Sequence, residues 1–184
     1  MVDVSVRMEL NDMSHDKHIR DFIEHADQSI TRWMARYGLT ILRLSLGLIF
    51  VWFGALKFFP QMSPAEDLAT RTITVLSGGL IPAEVSLPIL AAWECVIGLG
   101  LIAGRGLRVI LFLLYAQMLG TLTPVVLFPH EAFAVIPYAP TLEGQYIIKN
   151  LVLISAGIVV GATVRGGELI SQPLDGDSEK RLAA

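Results

Sequence analysis

Four runs of this chain, residues 39–59, 85–104, 107–128 and 146–164, are almost unbroken in apolar side chains. Crossing the hydrocarbon core of a bilayer takes about 20 such residues as a helix. Lipid offers no partner to an open N–H or C=O, so segments of this kind must be helical. The expected fold class is therefore all-α: a polytopic membrane four-helix bundle, with an N-terminal amphipathic helix and a short extracytoplasmic helix added to it. Composition agrees, with 53% hydrophobic and 17% charged residues and a mean hydropathy of +0.59. Soluble domains carry about 25% charged residues.

Three regions follow: a polar N-terminal region over 1–38, a membrane domain over 39–165, and a polar tail over 166–184 that is expected to be disordered beyond about residue 172. The amino end is polar and mixed in charge, unlike a signal peptide, so the first span is expected to insert uncleaved. Cys95 is the only cysteine, which excludes an intrachain disulfide or a CxxC pair. The four histidines (His15, His18, His25 and His130) fall outside the apolar runs, which argues against a haem held between membrane helices. No metal site and no integral cofactor is expected. No basic stripe with interleaved aromatics supports nucleic-acid binding.

Arginine and lysine set the orientation. Arg7, Lys17, Arg20, Arg32 and Arg36 precede the first span, Arg105 and Arg108 lie between the second and third, and Arg165, Lys180 and Arg181 follow the fourth. The other two loops hold Arg71 alone. The positive-inside rule then puts both termini in the cytoplasm.

Residues 16–37 place Phe22, Ile23, Ile30, Trp33, Met34 and Tyr37 at helical spacing opposite charged positions, predicting an amphipathic helix on the membrane surface or against a partner. In the first outer loop, Ser63-Pro64-Ala65-Glu66 reads as a capped helix start. Asp67 and Arg71 are spaced to pair, Leu68, Thr72, Val75 and Leu76 form a stripe, and Gly78-Gly79 ends the helix. The second outer loop, with prolines at 129, 137 and 140, is expected to be an irregular cap.

Ionisable groups inside a bilayer cost about 2.5–3.5 kcal/mol each at a helix centre and call for an account. Arg43, Gly47, Phe50, Gly54 and Lys57 share one face of the first span, which is expected to turn inward. Glu94 lies near the middle of the second span unless Pro88 disturbs the residues before it. Such an acid is either protonated and hydrogen-bonded, or ionised and paired with a lysine. Gln117 and Thr121 mark the third span, and Lys149 and Asn150 stand at the outer start of the fourth. The six residues Lys57, Glu94, Gln117, Thr121, Lys149 and Asn150 form the candidate ligand-binding set, an outer-leaflet pocket in which both lysines answer Glu94. Against this, Lys57 and Lys149 are close enough to the boundary to snorkel to the headgroups. Arg43 reads as a snorkelling or structural residue, Cys95 as a packing residue, and Trp52 and Trp93 as packing or lipid-facing residues. Catalytic residues are not identified.

The segments "LRLSLGLIFVWFGALKF", "WECVIGLGLIAGR", "GTLTPVVLF" and "GQYIIKNLVLISAG" resemble the DoxX-like membrane proteins, most closely the YkgB-type branch. The resemblance runs from about Arg36 to Gly167; "WFGALKF" and the glutamate ahead of "xxIG" are its most specific parts. It implies a four-helix protein of the bacterial inner membrane, with Lys57, Glu94, Thr123, Pro124 and Lys149 at its motif positions. It further implies a membrane subunit or helper in oxidative-stress or thiol- and quinone-linked redox chemistry. The pocket is then expected to take a quinone headgroup, as diffusible cofactor, or a small anion, with a partner redox enzyme or a homo-oligomer the expected company besides the lipid bilayer. Whether the chain is itself an enzyme stays open. A non-catalytic scaffold that recruits a partner through the N-terminal helix is a second reading. A small transporter is a third, without the inverted repeat of broken helices that would favour it.

Overall fold

The computed structural model describes residues 4–59, 62–63, 66–167 and 169, with the side chains of 4–19 and 21 outside that description. It contains seven helices and one small hairpin among the described residues: α1 (Val4–Leu56), α2 (Glu66–Leu76), α3 (Ala83–Ala103), α4 (Leu107–Leu122), α5 (Pro124–Leu127), α6 (Pro129–Ala132), β1 (Phe133–Val135), β2 (Ala139–Pro140) and α7 (Leu142–Ala162). Four stretches are long and apolar enough to cross a membrane: Phe22–Leu56, Ala83–Ala103, Leu107–Leu127 and Leu142–Ala162. The protein is an all-α polytopic membrane bundle.

The chain forms two compact units, Met1–Ile41 and Leu42–Ala184, and α1 contributes to both. In the first unit the amphipathic pattern is helical as expected. Trp33 and Tyr37 lie one turn apart with ring centroids at 5.8 Å and planes tilted by 49°, and Phe22, Ile23, Ile30, Trp33 and Met34 are exposed.

In the second unit α4 packs against both α3 and α7, and α2 lies on α3. The core is built from one face of each helix: Leu46 and Phe50 on α1, Ala91, Ile97 and Leu101 on α3, Leu111, Leu114 and Met118 on α4, Ile147 and Val160 on α7. The remaining faces are just as apolar, with Trp52, Phe112, Leu119 and Val152 each more than 60% exposed. A helix that is apolar all round yet buried on one side only is matched to lipid on the other.

Pro88 leaves α3 unbroken, because it sits in the second turn, where only the carbonyl of Glu84 loses a partner. Glu94 is therefore the twelfth of 21 residues in a continuous helix, at its middle. α3 ends at Gly104 with φ 67°, and α4 is preceded by Gly106 with φ 62°. Both values suit glycine and allow a three-residue link between antiparallel helices.

The third span departs from expectation. It does not run as one helix to 128, since Pro124 has no N–H to offer the Gly120 carbonyl. The Thr123 hydroxyl donates to that oxygen instead, at 2.6 Å, and the chain restarts as α5. The second outer loop is more ordered than its composition suggests. α6 leads into the β1–β2 hairpin, which includes a cis Ile136–Pro137 bond. Thr141 then caps α7 by accepting from Gly144 N at 3.1 Å. That cap starts α7 four residues before 146, so Lys149 is its eighth residue rather than a boundary residue.

α2 ends at Leu76 ahead of Gly78 and Gly79, both at positive φ, as the glycine pair implies. Its stripe is narrower than expected: Leu68 and Thr72 are buried, while Val75 and Leu76 are about half exposed (52% and 55%). The proposed cap at Pro64-Ala65 and the tail beyond 172 lie outside the described residues.

Candidate functional site

Lys57 stands one residue beyond α1, where the carbonyls of Gly54, Ala55 and Leu56 take the N–H groups of Lys57, Phe58 and Phe59 in a tightened last turn. Its Nζ donates to Phe53 O at 3.3 Å and to Glu94 Oε2 at 2.6 Å. The two side chains are 13% and 9% exposed, so the ammonium turns into the bundle rather than snorkelling. A cation at a helix C-terminus is also favoured by the helix dipole. Gly54 makes the approach possible: a Cβ there would lie 2.8 Å from Glu94 Cβ. From α4, Gln117 Nε2 donates to the other carboxylate oxygen, Oε1, at 2.6 Å. Three helices thus converge on one carboxylate, each of whose oxygens accepts a charged or amide N–H.

This group borders a cavity of about 710 Å³. Apolar side chains make up most of its wall, with Phe50 and Phe53 from α1, Leu90 and Trp93 from α3, and Ile147 from α7. Buried Leu68 and Thr72 of α2 close one side. Lys57, Glu94, Gln117, Thr121, Lys149 and Asn150 all line it. They do not form a single network, however. Asn150 Nδ2 donates to Thr121 Oγ1 at 3.3 Å as a separate pair. The exposed Lys149 holds its Nζ 5.5 Å from the centre of the Tyr146 ring. The expectation that two lysines answer Glu94 is corrected accordingly: Lys57 alone does so, and Lys149 finds its partner one helical turn back, on the aromatic face.

Arg43 lies at the opposite end of the unit's α1 segment and has a different task. Its Nη1 donates to the carbonyls of Leu101 and Ile102, the latter at 3.1 Å, closing the C-terminal turn of α3. Of the two roles open to it in the sequence, the structural one is realised. Cys95 Sγ packs toward Val51 O at 3.9 Å. Trp52 is 63% exposed, whereas the Trp93 indole donates to Leu113 O at 3.1 Å and ties α3 to α4 at the cavity wall.

One contact escaped the sequence reading. Arg71 does not pair with Asp67 along α2; its guanidinium forks onto both carboxylate oxygens of Glu131 on α6, one bond measuring 2.7 Å. The same group lies 5.4 Å from the centre of the Phe128 ring. The Glu131 carboxylate beside it holds Arg71 above its ordinary range. The available signal was charge complementarity: Arg71 is the lone arginine or lysine of its two loops, and "PHEAF" brings an acid into the second of them.

The DoxX family model matches residues 38–130, half of the chain and all of the segment that carries Lys57, Glu94 and Gln117. Comparison with curated proteins and comparison with solved structures each give no match. On the strength of that match, this integral membrane protein belongs to the DoxX family.

Proposed function

We propose that this chain is a membrane-embedded binding subunit or helper in quinone- or thiol-linked redox processes and oxidative-stress defence. In this reading it sits in the bacterial inner membrane as a YkgB-type member with both termini cytoplasmic, and works with a partner redox enzyme. The carrying observation is the largely buried Lys57–Glu94 pair set into the wall of a largely apolar cavity. A buried ion pair of this kind is weak as a stabilising device, because desolvation offsets most of its attraction. Its position beside a cavity with room for a ring and part of a tail supports a binding role instead.

The charge balance favours a neutral headgroup over a small anion. Lys57 is already answered by a carboxylate at 2.6 Å, and the lining's other formal charges, Lys149 and Glu143, cancel in sum, so the wall offers hydrogen bonds without net charge. A quinone head with an apolar tail fits such a wall. Glu94 would exchange a proton with the bound head, and electrons would pass to or from the partner enzyme.

The test uses purified protein in lipid nanodiscs titrated with decylbenzoquinone and its hydroquinone. Trp93 lines the cavity, so saturable quenching of its fluorescence is expected in the wild type and its loss in Trp93→Phe. Absence of saturable quenching would remove the reading. The scaffold alternative is favoured by the exposed apolar residues Phe22, Ile23, Ile30, Trp33 and Met34 of the first unit. A pull-down whose partner is lost on deleting residues 1–35 would support it.

A further inference from the structure

Gln117 is held in one orientation by its neighbour. Glu94 receives Lys57 on Oε2, and its other oxygen must be met by a donor, so Gln117 presents Nε2 to it. That choice leaves Gln117 Oε1 as an acceptor with no hydrogen-bond partner among the described residues. The side chain is only 7% exposed and borders the cavity. A buried carbonyl without a donor is costly and marks a place where a partner is wanted. On the far side of the carboxylate, Lys57 uses two of its three N–H bonds, on Phe53 O and Glu94 Oε2. Both residues line the cavity, so its wall holds one unused donor and, just beneath its surface, one unused acceptor, linked through the Glu94 carboxylate and the Gln117 amide.

The oxidation states of a quinone differ in what they can do with such a wall. A quinone carbonyl accepts only, so it can take the lysine N–H but leaves Gln117 Oε1 unmet. A phenolic hydroxyl does both. Resting on the reading of the cavity as a quinone-headgroup site, we propose that Gln117 and Lys57 select the reduced form: a lipid-soluble hydroquinone whose hydroxyl donates to Gln117 Oε1 while its oxygen accepts from Lys57 Nζ. Gln117 is thus the specificity-determining residue. The Lys57–Glu94 pair is what orients it, because Glu94 Oε1 takes the nitrogen end of the amide while Oε2 takes the lysine.

The experiment is anaerobic titration calorimetry on the full chain in nanodiscs. Its three probes share a decyl tail: the hydroquinone, the benzoquinone, and the hydroquinone's dimethyl ether, which accepts but cannot donate. The hydroquinone is expected to bind about tenfold tighter than either of the others, the usual penalty for leaving a buried acceptor unpaired. In Gln117→Met that preference is expected to fall to within about twofold, through loss of hydroquinone affinity. If the variant does not fold, the order of the three probes on the wild type decides alone. Equal binding of all three, or tighter binding of the quinone, overturns the selection while the cavity reading stands. A preference that survives in Gln117→Met overturns the role of Gln117. Binding of none of the probes overturns both.

Discussion

Lys57, one residue past the end of α1, donates to Glu94 in the middle of α3 at 2.6 Å, with both side chains largely buried. Neither residue has a reason to be buried without the other. Removing one partner of such a pair strands a charge and typically costs about 3–5 kcal/mol, whereas replacing both by apolar groups of similar volume is often neutral. Lys57→Met is therefore expected to lower the unfolding free energy in a detergent titration by about that amount, and Lys57→Met with Glu94→Leu to recover most of it. A double variant as weak as the single one would mean that the pair does not behave as a unit.

The approach of α1 to α3 depends on Gly54. A Cβ at this position meets Glu94 Cβ at 2.8 Å and Cys95 Sγ at 3.1 Å. Gly54→Ala is expected to cost about 1–3 kcal/mol as an overpacked contact. It is also expected to weaken probe binding, because it displaces the carboxylate itself. Unchanged stability and binding would show that α1 shifts freely.

Arg43 gives a contrasting case. Its two bonds to the last turn of α3 lie away from the cavity lining. Arg43→Met should lower stability by about 1.5–3 kcal/mol, the range for hydrogen bonds made by a charged group. Probe affinity in the population that remains folded should not change. A selective loss of binding would tie Arg43 to the site after all.

The Arg71–Glu131 fork is exposed at 52% and 38%, so salt should screen it. Raising ionic strength, or Arg71→Gln, is expected to speed amide exchange over α2 with little change in α3. The pH dependence has a definite sign on the arginine side. A cation held above its ordinary value stays charged below it and is lost only as pH rises past it. Taking the protein from pH 6 to 9 should therefore leave α2 protection unchanged; a fall across that window would point to a different partner.

The spans and the inward face of α1 were legible in the sequence because the bilayer sets both their length and their polarity. Glu94 and Gln117 could be matched in depth for the same reason. Lys149 could not be placed, because the start of α7 is decided by the Thr141 cap and not by hydropathy. The Thr123–Pro124 break was hidden inside an apolar run that reads as continuous. Arg71 had a nearer acid in Asp67 on its own helix, and only the fold of the second loop could bring Glu131 closer.

The three-residue turn at Gly104, Arg105 and Gly106 works as a ruler. Glu94 is ten residues before its first glycine and Gln117 eleven after its second, about 15 and 16.5 Å of helix at 1.5 Å per residue. A single residue inserted within α4 ahead of Gln117 would turn that side chain by about 100° and carry it to another face. The alignment of amide and acid is metered from the far end of the hairpin, by a segment that touches neither.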